Sequence, residues 1–283
     1  MSCIRTIGLL GDLNSYDFSI ELVEFETNDL WLRDMEPTFV TNESGKKAAI
    51  NFNFNGWGED QIHDKDEKVA AFIAEQSNVE IIQTDLVLEG GCFEIDGKGT
   101  AIMTESCILN DNRNPNKSKA EVETELKSLL GLEKIIWLKG IKGKDITDGH
   151  TDFYARFAKP GVVIVSRDTD PDSYDKVVTE DNIKVLQSAT DKDGNPLEII
   201  VIDTPEIISE EFGTKDFAAG YIGYYVCNGA IIAQKFGDEV ADKEAKDALQ
   251  KVFPNYTIEQ IAINGIASGG GSIHCATQQE PKG

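Results

Sequence analysis

The chain is short of the residues that usually hold metal ions. Its 283 residues include only three histidines, His63, His150 and His274, none in HxxxH or HxH spacing, and its five cysteines (Cys3, Cys92, Cys107, Cys227 and Cys275) form no CxxC pair. Neither a zinc site of the common kinds nor any other cofactor is therefore expected. An odd number of scattered cysteines in a long chain also argues against a disulfide framework and for reduced thiols in the cytosol, so a cytoplasmic location is the expectation. No apolar run approaches the roughly 20 residues that a bilayer span needs, and the short stretch from Ile7 to Leu10 lacks the h-region and cleavage site of a signal peptide. Positive charge is scarce as well: 27 Lys and Arg stand against 50 Asp and Glu, a formal charge of −23. Such a surface repels phosphate backbones and anionic lipids, so neither nucleic acid nor membrane is an expected partner. A cationic small substrate suits it, although acidity that serves solubility alone fits equally well.

A 40% hydrophobic content suffices for a sizeable core. Along the chain one cycle recurs: an amphipathic helix, a β-branched strand, then a polar loop. Its clearest copy opens at Ser118, which forms a capping-box pattern with Glu121, stops at Gly131 and continues as a strand from Lys134 to Leu138. Other copies place helices over residues 65–76 and 242–253, with strands over 79–83, 197–202 and 258–263, and an early strand covers 20–25. Asp34, Glu89, His150, Asp203 and Gly271 mark the polar loops at intervals of roughly 50 to 70 residues, a period that signals radial or stacked repetition. Five units follow, and a radial arrangement brings their loops to one axis. No linker interrupts the series, so residues 1–283 read as one domain. The dipeptide Asn228-Gly229 between residues 221–226 and 230–235 predicts a hairpin with a type I′ turn.

Four motifs carry chemistry. In Gly269-Gly270-Gly271-Ser272-Ile273-His274-Cys275 the glycines suit a sharp turn or a close approach, and the turn can present Cys275 to a pocket; a buried inert cysteine beside a glycine turn fits as well. His274 is expected to point elsewhere, in a structural role. In Asp148-Gly149-His150-Thr151-Asp152, an extended backbone aims His150 and Asp152 to the same side, where an imidazole and a carboxylate suit proton transfer beside a cation; a surface histidine in a polar turn is another reading, and half a metal site a third that the scarcity of further ligands disfavours. Glu89, before Gly90-Gly91, can orient His150 or be an ordinary solvated acid. Trp31-Leu32-Arg33-Asp34 joins an aromatic face to a carboxylate, either a platform for a cation or a strand end with an ion pair.

At these residues the sequence resembles the agmatine deiminase family, a close relative of bacterial peptidylarginine deiminases within the guanidino-modifying pentein superfamily. WLRDMEPTFV, FNGWG, LEGGCFEIDGKGT, ESCILNDNRNP, DGHTDFYARF and GGGSIHCATQQEP follow one another in the family's order over nearly the whole chain. The resemblance implies an α/β fold, a five-bladed pseudo-symmetric propeller, with Cys275 as nucleophile, His150 as acid and base, Glu89 holding His150, and Asp34 and Asp152 gripping the guanidinium beside Trp31. It implies hydrolysis of agmatine to N-carbamoylputrescine, in putrescine and polyamine metabolism. Arginine or peptidylarginine is the alternative substrate, and a catalytically inactive binding propeller is the rival from another class. Three departures stand out. Glu36 replaces a Gly in the RDxGP motif and is expected to shift the loop that positions Asp34. Gly223 stands where an Asn is expected. The chain begins inside the first unit, which is expected to be incomplete; a homodimer, or closure by Met1 to Phe25, would cover the gap.

Overall fold

Four times over, the chain makes an antiparallel hairpin, crosses over through a helix and returns as a strand parallel to the hairpin's second strand. The computed structural model describes residues 23–209 and 211–282. The first sheet comprises β1 (Thr38–Thr41), β2 (Lys47–Asn51) and β3 (Glu80–Gln83), the second β4 (Phe93–Ile95), β5 (Thr100–Thr104) and β6 (Lys134–Leu138). The third comprises β7 (Ala155–Lys159), β8 (Val162–Arg167) and β9 (Glu198–Asp203), the fourth β10 (Tyr225–Cys227), β11 (Ala230–Lys235) and β12 (Thr257–Ala262). The crossovers are α1 (Val69–Gln76), α2 (Lys119–Leu130), α3 (Asp175–Ser188) and α4 (Glu239–Val252). A parallel neighbour requires such a crossover, whereas the antiparallel pair needs only a turn. In every sheet the hairpin's second strand lies in the middle, and β5 and β8 are buried almost throughout, as strands covered on both faces are.

Local chemistry sets the helix ends. Ser118 accepts from the Glu121 amide while the Glu121 carboxylate accepts from the Ser118 amide, the expected capping box, and Gly131 ends α2 in the left-handed region. α4 starts three residues earlier than its apolar periodicity indicates, because the Asp238 side chain caps it by accepting from the Ala241 amide. α1 is preceded by a 3₁₀ turn over Asp66–Lys68.

Apolar side chains tie each sheet to the next. Ile50 and Phe52 pack with Met103, Val122 and Leu126. Ile102 and Ile136 pack with Val163, Val165 and Leu186, and Ile164 and Ile202 with Tyr221, Ile231 and Leu249. The succession closes where Trp31, Met35 and Trp57 meet Cys275.

Several local expectations need correction. The repeating unit has two strands before its helix, and of the four hairpins only the last, at Asn228-Gly229, was legible in the sequence. The early strand over 20–25 lies mostly outside the described residues, and Val23 to Phe25 are not strand. The hairpin at Asn228-Gly229 forms, but only Gly229 has positive φ, so the turn is not type I′. Its first strand begins at Tyr225: the carbonyls of Ile222 and Tyr224 accept from Arg156 and that of Gly223 from the His274 amide, so this backbone serves side chains and a loop in place of a ladder. Among the described residues no helix is long and apolar enough to cross a membrane.

Candidate active site

The glycine run turns the chain sharply after the helix Asn264–Ala267 and brings it against Trp31. A Cβ at Gly271 would lie 2.1 Å from the Trp31 ring, so only glycine permits this approach. Cys275, at the end of the turn, is buried in the same cluster as Trp31, and its carbonyl accepts from the Arg33 amide at 2.9 Å. Burial pushes the Cys275 thiol up, and the carboxylates of Asp152 and Asp34 add to this, against hydrogen bonds from Ser272.

Trp31-Leu32-Arg33-Asp34 leads into a helical turn, Leu32–Met35, so of the two readings of this motif the strand end does not hold. It buries Asp34, whose Oδ2 accepts from Trp57 Nε1 at 2.9 Å and whose Oδ1 accepts from the Gly91 amide at 3.1 Å. Burial raises the Asp34 pKa, opposed by His150, whose Nδ1 is 3.9 Å from Oδ1. Arg33 points away from this carboxylate; its Nε donates to the His274 carbonyl at 3.2 Å and its Nη1 to Gln279 at 2.9 Å. Glu36 follows with φ −77° and ψ 160°, an ordinary extended conformation, so its replacement of glycine carries no backbone strain and the expected shift of the loop has no basis there.

Glu89 and His150 form a buried pair, His150 Nε2 lying 3.3 Å from Glu89 Oε2. The partner that the motifs did not assign is Arg113 of the NRNP segment. Its Nε contacts both Glu89 oxygens at 2.9 and 3.0 Å, and its Nη1 donates to Asp148 at 2.8 Å. Burial pushes the Glu89 pKa up, yet His150 and Arg113 outweigh it and hold the carboxyl below its usual range. Burial pulls His150 down, but Asp34, Cys107 and Glu89 hold the imidazole well above its usual value. Cys92 Sγ donates to the Glu89 carbonyl at 2.8 Å and Cys107 Sγ to Glu89 Oε2 at 3.4 Å. Glu89, Cys92 and Cys107 offer three possible metal donors within 4.8 Å of one another. Burial raises both thiols and keeps them protonated, a state that suits these hydrogen bonds and opposes metal ligation.

The backbone after His150 is not extended as expected: His150 begins a helical turn over Thr151–Tyr154. Both side chains still reach one place, because Gly91 is walled by them: a Cβ there would lie 2.5 Å from His150 Nδ1 and 3.2 Å from Asp152 Oδ1. His274, expected to point elsewhere, faces the site, its Nδ1 2.7 Å from Asp152 Oδ2. Behind them Arg156 donates to Glu94 at 2.8 Å. Burial, followed by Arg156 and Arg33, keeps His274 neutral, its pKa well below the usual value. Asp152 Oδ1 is buried without a hydrogen-bond partner among the described residues, and burial raises the Asp152 pKa to about 7.

All six residues singled out from the sequence, Trp31, Asp34, Glu89, His150, Asp152 and Cys275, are thus buried together, whereas His63 lies apart with its Nδ1 on the Gln61 carbonyl. Arg113, Trp57, Ser272 and the inward orientation of His274 were missed. Each lies inside a quoted motif, and that placement was the available signal.

Comparison with known proteins accords with this arrangement. The family model described as Porphyromonas-type peptidyl-arginine deiminase matches residues 5–281. The chain is 37% identical to the agmatine deiminase of Medicago truncatula over 295 residues, covering 93% of this chain and 78% of that protein. The solved structure of Enterococcus faecalis agmatine deiminase superposes with a TM-score of 0.87 at 33% identity, covering 93% of this chain and 78% of that one. A dimethylarginine dimethylaminohydrolase, held as an adduct with S-methyl-L-thiocitrulline, shares the fold alone, with 14% identity, a TM-score of 0.51 and coverage of 93% and 82%. The four sheets with their crossover helices fit the propeller-like pentein arrangement, and the chain belongs to the agmatine deiminase family, among the Porphyromonas-type peptidyl-arginine deiminases.

Proposed function

We propose that the protein hydrolyses agmatine to N-carbamoylputrescine and ammonia, with Cys275 as nucleophile, His150 as acid and base, and Asp34 and Asp152 holding the guanidinium. The observation that carries the reading is the buried Asp152 Oδ1, without a hydrogen-bond partner among the described residues, beside Gly91, whose amide is bound by Asp34. A buried carboxylate oxygen without donors is costly unless a ligand supplies them, and a guanidinium offers N–H groups and a compensating charge. Trp31 forms an aromatic wall next to Cys275.

Charge spread over three nitrogens makes the guanidinium carbon a poor electrophile, so a thiolate held in line is required. In the empty site the thiol is pushed up by burial and by Asp152 and Asp34. A bound cation neutralises those carboxylates, and Cys275 then loses its proton to solvent. The thiolate adds to the central carbon, and His150, charged because Asp34 and Glu89 outweigh its burial, protonates the departing nitrogen as ammonia. This leaves an S-alkylthiouronium and a neutral imidazole. His150 next takes a proton from water, hydroxide adds to the same carbon, and collapse expels the thiolate while the new hydroxyl gives its proton to solvent, leaving a ureido product. Glu89, backed by Arg113, maintains His150 through the cycle.

The test is ammonia release from agmatine, arginine and a peptidylarginine, with Cys275→Ser as control. Turnover of agmatine above the other two, absent in the variant, is the expected result; preference for an arginine substrate reassigns the substrate, and no ammonia from any of them overturns the reading.

A further inference from the structure

Ser272 lies three residues before Cys275 in the glycine-led turn. Its Oγ is 3.2 Å from Cys275 Sγ and accepts from the Cys275 amide at 3.4 Å, with both side chains buried. With one lone pair facing that N–H, the hydroxyl hydrogen is free to point at sulfur. A hydroxyl donor binds an anionic acceptor more strongly than a neutral one, so this contact strengthens as the thiol ionises. The charged groups facing Cys275 are Asp152 and Asp34, which oppose ionisation, and Arg33, which favours it.

The position of Ser272 depends on a second residue. A Cβ at Gly223 would lie 2.4 Å from both Cβ and Oγ of Ser272 and 3.0 Å from Gln234 Nε2. Gln234 has little room to yield, since its Nε2 donates to the Gly220 carbonyl. The Gly223 carbonyl accepts from the His274 amide at 2.9 Å, so the two segments are also pinned together. Any side chain at 223 must push Ser272 out of its place.

We infer that Ser272 is a catalytic hydroxyl that donates to Cys275 Sγ as the thiolate forms, and that Gly223 is a positioning residue that leaves it room. The inference rests on Cys275 being the nucleophile. It does not depend on which guanidino compound is bound.

The experiment measures alkylation of Cys275 by iodoacetamide against pH, read by peptide mass spectrometry on the full chain, with thermal melting of every variant. In Ser272→Ala the ionisation midpoint moves up by about one unit, which slows labelling about tenfold at a pH below both midpoints. Gly223→Ala moves the midpoint in the same direction, and in a Ser272→Gly background it adds nothing further, because the side chain it would displace is gone. An unchanged midpoint in folded Ser272→Ala overturns the inference. Should that variant not fold, the Gly223→Ala pair decides: an unchanged midpoint, or one that moves equally with and without Ser272, overturns it. A midpoint shift in a protein that releases no ammonia from agmatine sinks the proposed activity and leaves this inference standing.

Discussion

His274 and Asp152, separated by 122 positions in sequence, meet at 2.7 Å through Nδ1 and Oδ2. With the imidazole kept neutral by burial and by Arg156 and Arg33, the Nδ1–H tautomer is the one that donates to the ionised carboxylate, and Oδ1 has no hydrogen-bond partner among the described residues. Burial still raises Asp152 to about 7, so near neutral pH this carboxyl divides between its two protonation states.

From that follows a pH dependence of binding. Asp152 must be ionised to hold a cation, so agmatine affinity for Cys275→Ser should rise with pH up to about 7 and then level, with a limiting slope of about tenfold per unit for each proton released. Isothermal titration at several pH values reads this, and Asp152→Asn should bind weakly with that component gone. The stability sign is separate. Because the folded pKa of Asp152 lies above its unfolded value, its contribution to the empty fold is complete below about pH 4 and is lost as pH rises through about 7. His274, depressed in the fold, acts in the opposite sense, its contribution complete above the unfolded value of 6.5 and lost at lower pH. Affinity that is flat from pH 5 to 8 contradicts the assignment.

Glu89→Gln removes the charge that both His150 and Arg113 need. Leaving buried Arg113 with Asp148 alone should cost about 3 kcal/mol of stability, at the low end for a broken buried pair. Loss of the imidazolium's partner should lower kcat about a hundredfold or more, the usual scale of acid and base catalysis. Denaturant melts and steady-state kinetics check the two effects separately. A stable variant with full kcat would remove Glu89 from the machinery.

A cationic haloacetamidine should label Cys275 and spare Cys92 and Cys107, which are fully buried with thiols raised by that burial. The same cysteine should react faster with the amidine than with neutral iodoacetamide, since Asp34 and Asp152 draw the charge in. Mass spectrometry that places the adduct mainly on Cys92 or Cys107 rejects the nucleophile.

Ammonia release from agmatine should survive exhaustive treatment with EDTA, because the proposed steps need only a thiolate, an imidazole and two carboxylates. Activity lost to the chelator and regained with zinc would point to the Glu89, Cys92 and Cys107 donors instead.

Much of this arrangement was legible where one residue type has one strong local use. Ser118, Glu121 and Gly131 marked both ends of α2, and the β-branched run after them became β6 with the expected bounds. The ordered motifs likewise named the six residues now found together. What escaped was short or depends on distant partners. Four-residue helices such as Leu32–Met35 and Thr151–Tyr154 are too brief to show a period, and the latter changed the geometry, though not the meeting, of His150 and Asp152. Residues 221–224 look like strand because they are apolar, yet their carbonyls are claimed by Arg156 and His274 from other units. Beyond its place in a motif, Arg113 carries no local signal of its role: its acids lie 24 and 35 residues away.

The bond from Arg33 Nε to the His274 carbonyl joins positions 241 residues apart. Contacts of such separation form late, since the chain between them must already be compact before they repay the entropy of closure. The site therefore has no local precursor. During refolding from denaturant, far-UV ellipticity from α1 to α4 should return well before turnover does, and a nascent chain would carry most of its blades in place while still chemically inert.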